Sequence, residues 1–202
     1  MEIERRTFPG ATEVALRAEE DDGAKRLVGV FAPFRSRSQL LGGRFYEVIE
    51  PGAFDAVLDG DVRALFNHNA DNILGRTTSG TLRLWTEDDG AVYSVDLPES
   101  DVAARVLESV RRRDVTGNSF AFQMSGSEDD EEWRSEGKVM IRHIKRIARL
   151  LDVGPVTYPA YQATTVSARS LEMASDQTGV DVGKLWRAHF HRVRRQVFLD
   201  TR

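Results

Sequence analysis

The amino-acid sequence predicts a mainly β-stranded α+β domain, and three features lead to that class. Several short segments alternate apolar and polar residues, which is the pattern of half-buried strands. Two of them, "GTLRLWTED" and "AVYSVDLP", adjoin the turn residues "DDG" and predict a β-hairpin. A later segment, "SDVAARVLESVRRRD", instead spaces its valines four residues apart, which predicts an amphipathic helix.

The first half of the chain predicts mostly strands. Arg26–Phe34 is apolar and β-branched, and is expected to be a buried strand. "RFYEVIEPG" follows, rich in β-forming residues and closed by Pro51 and Gly52. "GAFDAVLDG" predicts one short helix that ends near Gly60, and "DVRALFNHN" predicts a strand with His68 at its end.

The second half begins with the amphipathic helix, for which Ser100 is the expected N-cap. "VTGNSFAFQM" then predicts a strand with Ser119 on one face and Phe120 and Phe122 on the other, which faces the core. "KVMIRHIKRIARL" and "LLDVGPVTYPAY" predict two further strands. The acidic run Glu128–Glu132 is expected to be an exposed hairpin or loop, because consecutive carboxylates rarely converge on a metal ion.

Two units are predicted: a β domain over residues 1–170, and a linker with a basic amphipathic helix over residues 171–202. Apolar residues recur along the last segment at helical spacing: Trp186, Phe190, Val193 and Val197. Such a helix could pack on its own domain, bind a partner helix, form a dimer or tether the chain during assembly.

Composition excludes several classes of function. The chain has no cysteine, so disulfides, thiolate catalysis and cysteine-ligated metals are excluded. Its net charge of -4 does not favour a nucleic-acid or anionic-membrane partner. No segment resembles a secretory signal or a membrane span, so a cytoplasmic location is expected. No metal or other cofactor is predicted.

His68 and Ser119 are the candidates for chemistry. His68 lies where an apolar strand gives way to polar turn residues, a common position for catalytic groups. Ser119 follows a Gly-Asn pair at a strand start and would need a neighbouring base to act as a nucleophile. From these residues alone, a Ser–His hydrolase is one hypothesis among several. His143 is expected to be a partly exposed strand residue with no role in chemistry. Arg76 is expected to form a structural salt bridge.

Three segments together resemble the HK97-like prohead proteases of tailed bacteriophages. They are "EVIEPGAFDAVLDGDVRALFNHNADNILGRTTSGTLRLWTEDDGAVYSVDLPES", "VLESVRRRDVTGNSFAFQM" and "LLDVGPVTYPAYQATTVSAR", in the family's order. The resemblance implies a β-barrel, closed or partly open, that is surrounded by helices and distantly similar to the herpesvirus maturational protease. It also implies a serine endopeptidase that acts inside the assembling prohead in the host cytoplasm. Its expected partners are the major capsid protein with its scaffolding segment, and the enzyme is expected to cut itself as well. Dimerisation would follow by analogy with the herpesvirus enzymes.

The resemblance also implies the site residues. The family's catalytic His matches His68 in "FNHN", its Ser matches Ser119 in "TGNSFAF", and its acidic residue matches Asp152 in "LLDVGPVTYPAY". Asp152 stands where Glu is more usual, and herpesvirus enzymes use a second His, for which His143 is the competitor. Asp152 is preferred because a carboxylate stabilises the imidazolium that forms during catalysis.

Two other classes of function stay open at this point. One is a catalytically silent capsid-assembly scaffold on the same fold, which would have no need for all three site residues. The other is a general serine hydrolase of small esters, which the absence of a G-x-S-x-G elbow disfavours.

Overall fold

The computed structural model describes residues 2–8, 16–21, 24–42, 44–137 and 139–158. Its strands and helices have these bounds: β1 Glu4–Phe8, β2 Leu16–Asp21, β3 Ala24–Pro33, β4 Phe45–Ile49, β5 Arg63–Leu65, β6 Ile73–Arg76, β7 Leu82–Glu87, β8 Gly90–Asp96, α1 Asp101–Arg111, β9 Gly117–Gln123, a 3-10 turn Glu128–Asp130, β10 Glu131–Glu136, β11 Val139–Ile144 and β12 Arg149–Val156. The predicted C-terminal linker and helix, residues 171–202, lie outside the described residues.

The strands form three hydrogen-bonded sheets around one core. Their orders are β1-β9-β12-β5-β6, β10-β11-β4 and β2-β3-β8-β7. Phe31, Phe54 and Phe120 meet edge to face at the centre of this core, with ring centroids 5.1–5.7 Å apart. The mainly β-stranded α+β class is therefore confirmed. The described residues contain a single α-helix, and their sheets are hydrogen-bonded separately rather than as one closed barrel.

Local patterning predicted several elements correctly. β7 and β8 form the expected antiparallel hairpin, with Glu87 paired with Gly90 next to the turn. The hydroxyl of Ser100 accepts a hydrogen bond from the Ala103 backbone N–H and caps α1, whose Val106 and Val110 are buried. These predictions are correct because each depends on residues that are close together in the sequence.

The short helix expected from "GAFDAVLDG" is wrong. Residues 51–59 instead form consecutive turns, in which backbone N–H groups bond to carbonyls three residues back. Gly52 has φ +86, so the chain leaves helical geometry at the outset. Ala53 and Phe54 are buried in the core, and this packing holds the turns in place.

The acidic run is only in part the expected exposed hairpin or loop, since Glu128 and Asp129 are exposed but the rest of the run is not. Asp130 is 4% exposed and accepts a hydrogen bond from the Ser125 hydroxyl. Glu131 and Glu132 belong to β10, which pairs with β11. The Nε of Arg142, on β11, donates to the Glu131 carboxylate at 2.7 Å. A buried arginine from the neighbouring strand therefore fixes part of the run, which the acidic composition of the run itself could not indicate.

The predicted strand before His68 is shorter than expected. β5 ends at Leu65, so His68 lies in the loop that follows the strand. The structural role expected for Arg76 is confirmed, because its guanidinium binds both carboxylate oxygens of Asp61, at 2.6 and 2.7 Å. Arg76 lowers the pKa of the Asp61 carboxyl to about 2 through this hydrogen bonding.

β12 is the strand that joins the two halves of the five-stranded sheet. It pairs antiparallel with β9 and parallel with β5. Gly154 of β12 has φ +152, and a Cβ placed on it would lie 2.2 Å from the carbonyl oxygen of Leu65. Only glycine fits this close approach of two backbones. The end of β5 can therefore lie directly against β12.

We expect Gly154→Ala to lower the free energy of unfolding by about 3 kcal/mol, because it adds backbone strain and a steric clash together. The thermal midpoint should fall by roughly 6–12 °C on that basis, which thermal denaturation measures. Gly126→Ala is the matched control. Gly126 also has positive φ, at +88, but nothing lies within 4 Å of the added Cβ, so its cost should be only about 1 kcal/mol. Equal losses for the two variants would contradict the role of the Leu65 contact.

Candidate active site

His68 is presented by a tight loop directly after β5. Asn67 and His68 both adopt left-handed backbone conformations, with φ +58 and +54. Asn and His tolerate this region better than most residues, although it carries some strain. Asn67 ties the loop to the end of β12. Its backbone N–H donates to the Pro155 carbonyl at 3.0 Å, and its Oδ1 accepts from the Thr157 N–H at 2.8 Å.

Ser119 and Asp152 are placed by the pairing of β9 with β12. Ser119 lies opposite Gly154, and Asp152 lies opposite Ala121, two positions along the ladder. Side chains two residues apart on a strand share a face, so Ser119 and Asp152 project to the same side of the sheet. An irregularity between Leu150 and Asp152 sets this register.

The three candidate residues form a continuous chain of hydrogen bonds. His68 Nε2 lies 2.6 Å from Ser119 Oγ, and His68 Nδ1 lies 2.5 Å from Asp152 Oδ1. A carboxylate accepts hydrogen bonds, so this arrangement favours a proton on Nδ1 and leaves the Nε2 lone pair directed at the serine hydroxyl. Geometrically, this is the orientation that a general base needs in order to take a proton from serine.

His143, the competing third residue, is placed elsewhere. It lies on β11, and its Nδ1 is 2.7 Å from Glu50 Oε1. Its Nε2 is buried and has no hydrogen-bond partner among the described residues. The structure thus brings Asp152 to His68 and joins His143 to Glu50. The remaining histidines, His189 and His191, lie outside the described residues.

Asn118, which precedes the serine, has a structural contact of its own. Its Oδ1 accepts a hydrogen bond of 2.8 Å from the Tyr93 hydroxyl. The Gly29 backbone lies so close that an added Cβ would be 2.8 Å from the Asn118 side chain. Burial raises the pKa of the Tyr93 hydroxyl, which therefore stays protonated and donates. Asn118 is thus held in the sheet by contacts that lie outside the His68–Asp152 pair.

β1 lies beside the strand of Ser119 in the same sheet and was not predicted from the sequence. Ser119 Oγ is 2.8 Å from the carbonyl oxygen of Arg6 and 3.2 Å from Thr7 Oγ1. With these neighbours in place, Ser119 is fully buried, at 0% exposed. The signal that could have indicated this strand is the alternation in "EIERRTF". Its inward residues are charged, however, and an apolar pattern is what normally predicts a buried strand.

Comparison with protein-family models now identifies the chain. A model described as caudovirus prohead serine protease matches residues 12–177, which is most of the sequence. The chain belongs to this family. It is therefore a serine peptidase of phage capsid maturation and acts in the assembling capsid, as the resemblance implied.

Two other comparisons add little to the family match. The comparison with curated proteins gave no significant match. Among solved structures, the chain is similar to the bacteriophage T4 capsid assembly protease gp21, with 10% identity over 78% of this chain and 98% of that one. The TM-score of 0.45 is low, so the assignment depends on the family match.

The described part of the chain contains neither a group of metal-ligating side chains nor a helix that could span a membrane. No group of three or more His, Asp or Glu side chains there is arranged to hold a metal ion. None of the described helices is both long enough and apolar enough to cross a membrane.

We expect Asn67→Ala to reduce peptide cleavage by at least about tenfold, because it releases the loop that positions His68. Asn67→Asp should keep most of the activity, since a carboxylate still accepts from the Thr157 N–H. Asn69→Ala is the control in the same loop, where only a local bond to the Asp71 N–H is lost. Turnover and thermal midpoint should be measured for all three. A fall in stability without a larger fall in turnover for Asn67→Ala would contradict a positioning role.

Proposed function

We propose that Ser119, His68 and Asp152 carry out peptide-bond hydrolysis by acyl transfer. The observation that supports this most is the unbroken pair of short hydrogen bonds from Ser119 through His68 to Asp152. The family match gives the class of reaction, and the geometry supports this choice of residues.

In this mechanism, Ser119 Oγ attacks the scissile carbonyl while His68 Nε2 takes the hydroxyl proton. Asp152 holds the His68 Nδ1–H and stabilises the imidazolium that forms. The C–N bond then breaks, and His68 returns the proton to the leaving amine. Water hydrolyses the acyl-enzyme in the same way, again with His68 as the base.

Asp152 replaces the Glu that is more usual in the family, and the local fold accommodates the shorter side chain. β12 lies between β9 and β5, so its backbone passes close to the loop that carries His68. The Asp152 carboxylate reaches His68 Nδ1 at 2.5 Å without the additional methylene.

The proposed substrates are the major capsid protein with its scaffolding segment, and the chain itself. The enzyme would act inside the prohead in the host cytoplasm and could form a homodimer. Capsid and scaffold substrates follow from the family's role in maturation. We further infer that the three sheets together make a partly open barrel, because their apolar side chains belong to one core cluster.

A catalytically silent scaffold is the alternative, and the occlusion of Ser119 by β1 is the observation that favours it. A serine that no substrate reaches would not need its partners. The short contacts of His68 with Ser119 and with Asp152 are difficult to explain on that view, because a buried hydroxyl needs only one hydrogen-bond partner and Ser119 already has the Arg6 carbonyl.

The first test is Ser119→Ala, co-expressed with the cognate capsid protein. We expect it to abolish processing, because the nucleophile is removed, while the thermal midpoint changes little. Intact mass of the capsid protein measures the outcome. Normal processing by Ser119→Ala would eliminate this mechanism, and absence of processing by the wild-type chain would favour the scaffold.

The second test separates the two candidates for the third residue. Asp152→Asn should reduce turnover by about 10³–10⁴-fold, since an amide no longer holds the productive tautomer of His68. His143→Ala should change turnover by less than about tenfold beyond any loss of folded protein, because His143 contacts Glu50. Turnover per folded molecule is the measurement. A collapse in His143→Ala alone would reverse the assignment.

A further inference from the structure

The strand β1 adds to the sheet beside the strand that carries the nucleophile. It runs antiparallel to β9, with Thr7 opposite Ser119, Arg6 opposite Phe120 and Glu4 opposite Phe122. An extended peptide that pairs with the edge of a sheet strand is a general mode of peptide recognition. β1 therefore has the conformation and position that a bound substrate segment would have.

The register places one particular peptide group at the nucleophile. The Arg6 carbonyl oxygen lies 2.8 Å from Ser119 Oγ, and the next side chain, Thr7, contacts the same atom at 3.2 Å. Ser119 has one hydroxyl proton but two acceptors within reach, the Arg6 carbonyl and His68 Nε2. The Arg6–Thr7 bond is thus the one that lies beside the catalytic residues.

The Arg6 side chain enters a buried anionic site. Its Nε and one terminal nitrogen bind both carboxylate oxygens of Glu47, at 2.6 and 2.9 Å. Both side chains are almost fully buried, with 2% and 1% of their surfaces exposed. A carboxylate that accepts two hydrogen bonds in this way fits the planar guanidinium of arginine better than it fits any neutral side chain. Glu47, on β4, has the chemistry to select a basic residue before the cleaved bond.

Two residues earlier, Glu4 meets the guanidinium of Arg142, which also binds Glu131, and the Arg6 side chain of its own strand. Arg142 binds the Glu4 carboxylate at 2.8 Å and is itself fully buried. Arg142 lies opposite Glu47 in the parallel pairing of β11 with β4, and the two also contact each other at 3.1 Å. If β1 left, Glu47 and Arg142 would remain paired with each other, and Arg142 would keep Glu131 as a second partner. The Glu47 carboxylate and the Arg142 guanidinium would therefore stay in place to meet another strand.

We infer that β1 occupies the substrate cleft as an internal substrate segment, and that Glu47 and Arg142 determine specificity. Glu47 selects Arg or Lys immediately before the scissile bond, and Arg142 selects Glu or Asp two residues earlier. The inference rests on the proposed catalytic role of Ser119. It assigns the Arg6–Thr7 bond as a self-cleavage site.

The reaction at that site is ordinary hydrolysis. Ser119 Oγ bonds to the Arg6 carbonyl carbon, and its proton passes through His68 to the Thr7 nitrogen as the C–N bond breaks. Water then releases Arg6 as a carboxylate and restores the serine. The products are a peptide that ends at Arg6 and a chain that begins at Thr7.

Intact mass of the purified full chain tests the cleavage site. We expect a product that begins at Thr7 for the wild-type chain, and none for Ser119→Ala. Arg6→Glu should suppress this product by at least about tenfold, because it places a carboxylate against Glu47. Arg6→Lys should retain it. Arg5→Glu is the matched control, since Arg5 is on the same strand but exposed, and it should be cut normally.

Peptides added in trans avoid variants that fail to fold. The probe is the synthetic peptide EIERRTFPG, compared with versions that carry Glu at the second arginine or Lys at the second glutamate. Both changes should lower cleavage by the wild-type enzyme at least about tenfold. In the enzyme, Glu47→Gln should reduce the preference for arginine over glutamine before the cut.

Cleavage of the cognate capsid protein separates this inference from the proposed function. New N-termini should follow basic residues with an acidic residue two positions earlier. If the capsid protein is cut in a Ser119-dependent way but after other residues, and the Arg6–Thr7 bond stays intact, then β1 is a permanent strand and the specificity assignment is wrong. If Ser119→Ala still cuts the capsid protein, the catalytic assignment itself fails.

Discussion

The contact between the Leu65 carbonyl and Gly154 is the constraint on which the geometry of the site depends. It lets β5 end directly against β12, which also carries Asp152. The loop after β5 then starts close enough for His68 to reach Asp152 and Ser119 on adjacent strands. A side chain at position 154 would push these strands apart, and the short hydrogen bonds of His68 would be lost first. Gly154 therefore contributes to the site by letting the backbones of β5 and β12 lie close together.

A nucleophile within a regular strand is positioned differently from one on a tight turn. Ser119 has neighbouring strands on both sides, β1 and β12, so the sheet's hydrogen bonds fix its backbone. The part of the site that lies outside the strands is the loop of His68, which Asn67 fastens to Thr157. Paired strands thus hold Ser119 and Asp152, and one anchored loop brings His68 to them.

Much of this arrangement could be predicted from local sequence, but the long-range contacts could not. The β7–β8 hairpin, α1 and the strand of Ser119 follow from periodicity and capping. The helix expected near Phe54 failed because core packing outweighed a short apolar pattern. The residue patterns alone indicate Ser119 and His68 only as candidates. Asp152 is indicated by the resemblance to the prohead proteases. No local pattern reveals that "EIERRTF" is a buried strand. Its inward Glu4 and Arg6 pair with each other, but they also bind Glu47 and Arg142, which are far away in the sequence.

That buried charge is unusual for a permanent strand. Moving ions from water into a protein interior costs several kcal/mol for each ion, and apolar residues of similar volume commonly stabilise a fold as well or better. Burial alone would lower the pKa of the Arg6 guanidinium, but Glu47 and Glu4 reverse this and hold it charged. Ion pairs do have an advantage for a strand that must be exchanged, because charged side chains are also well solvated once released. A cleft lined by Glu47 and Arg142 can therefore release β1 and accept another strand with the same pattern of charge.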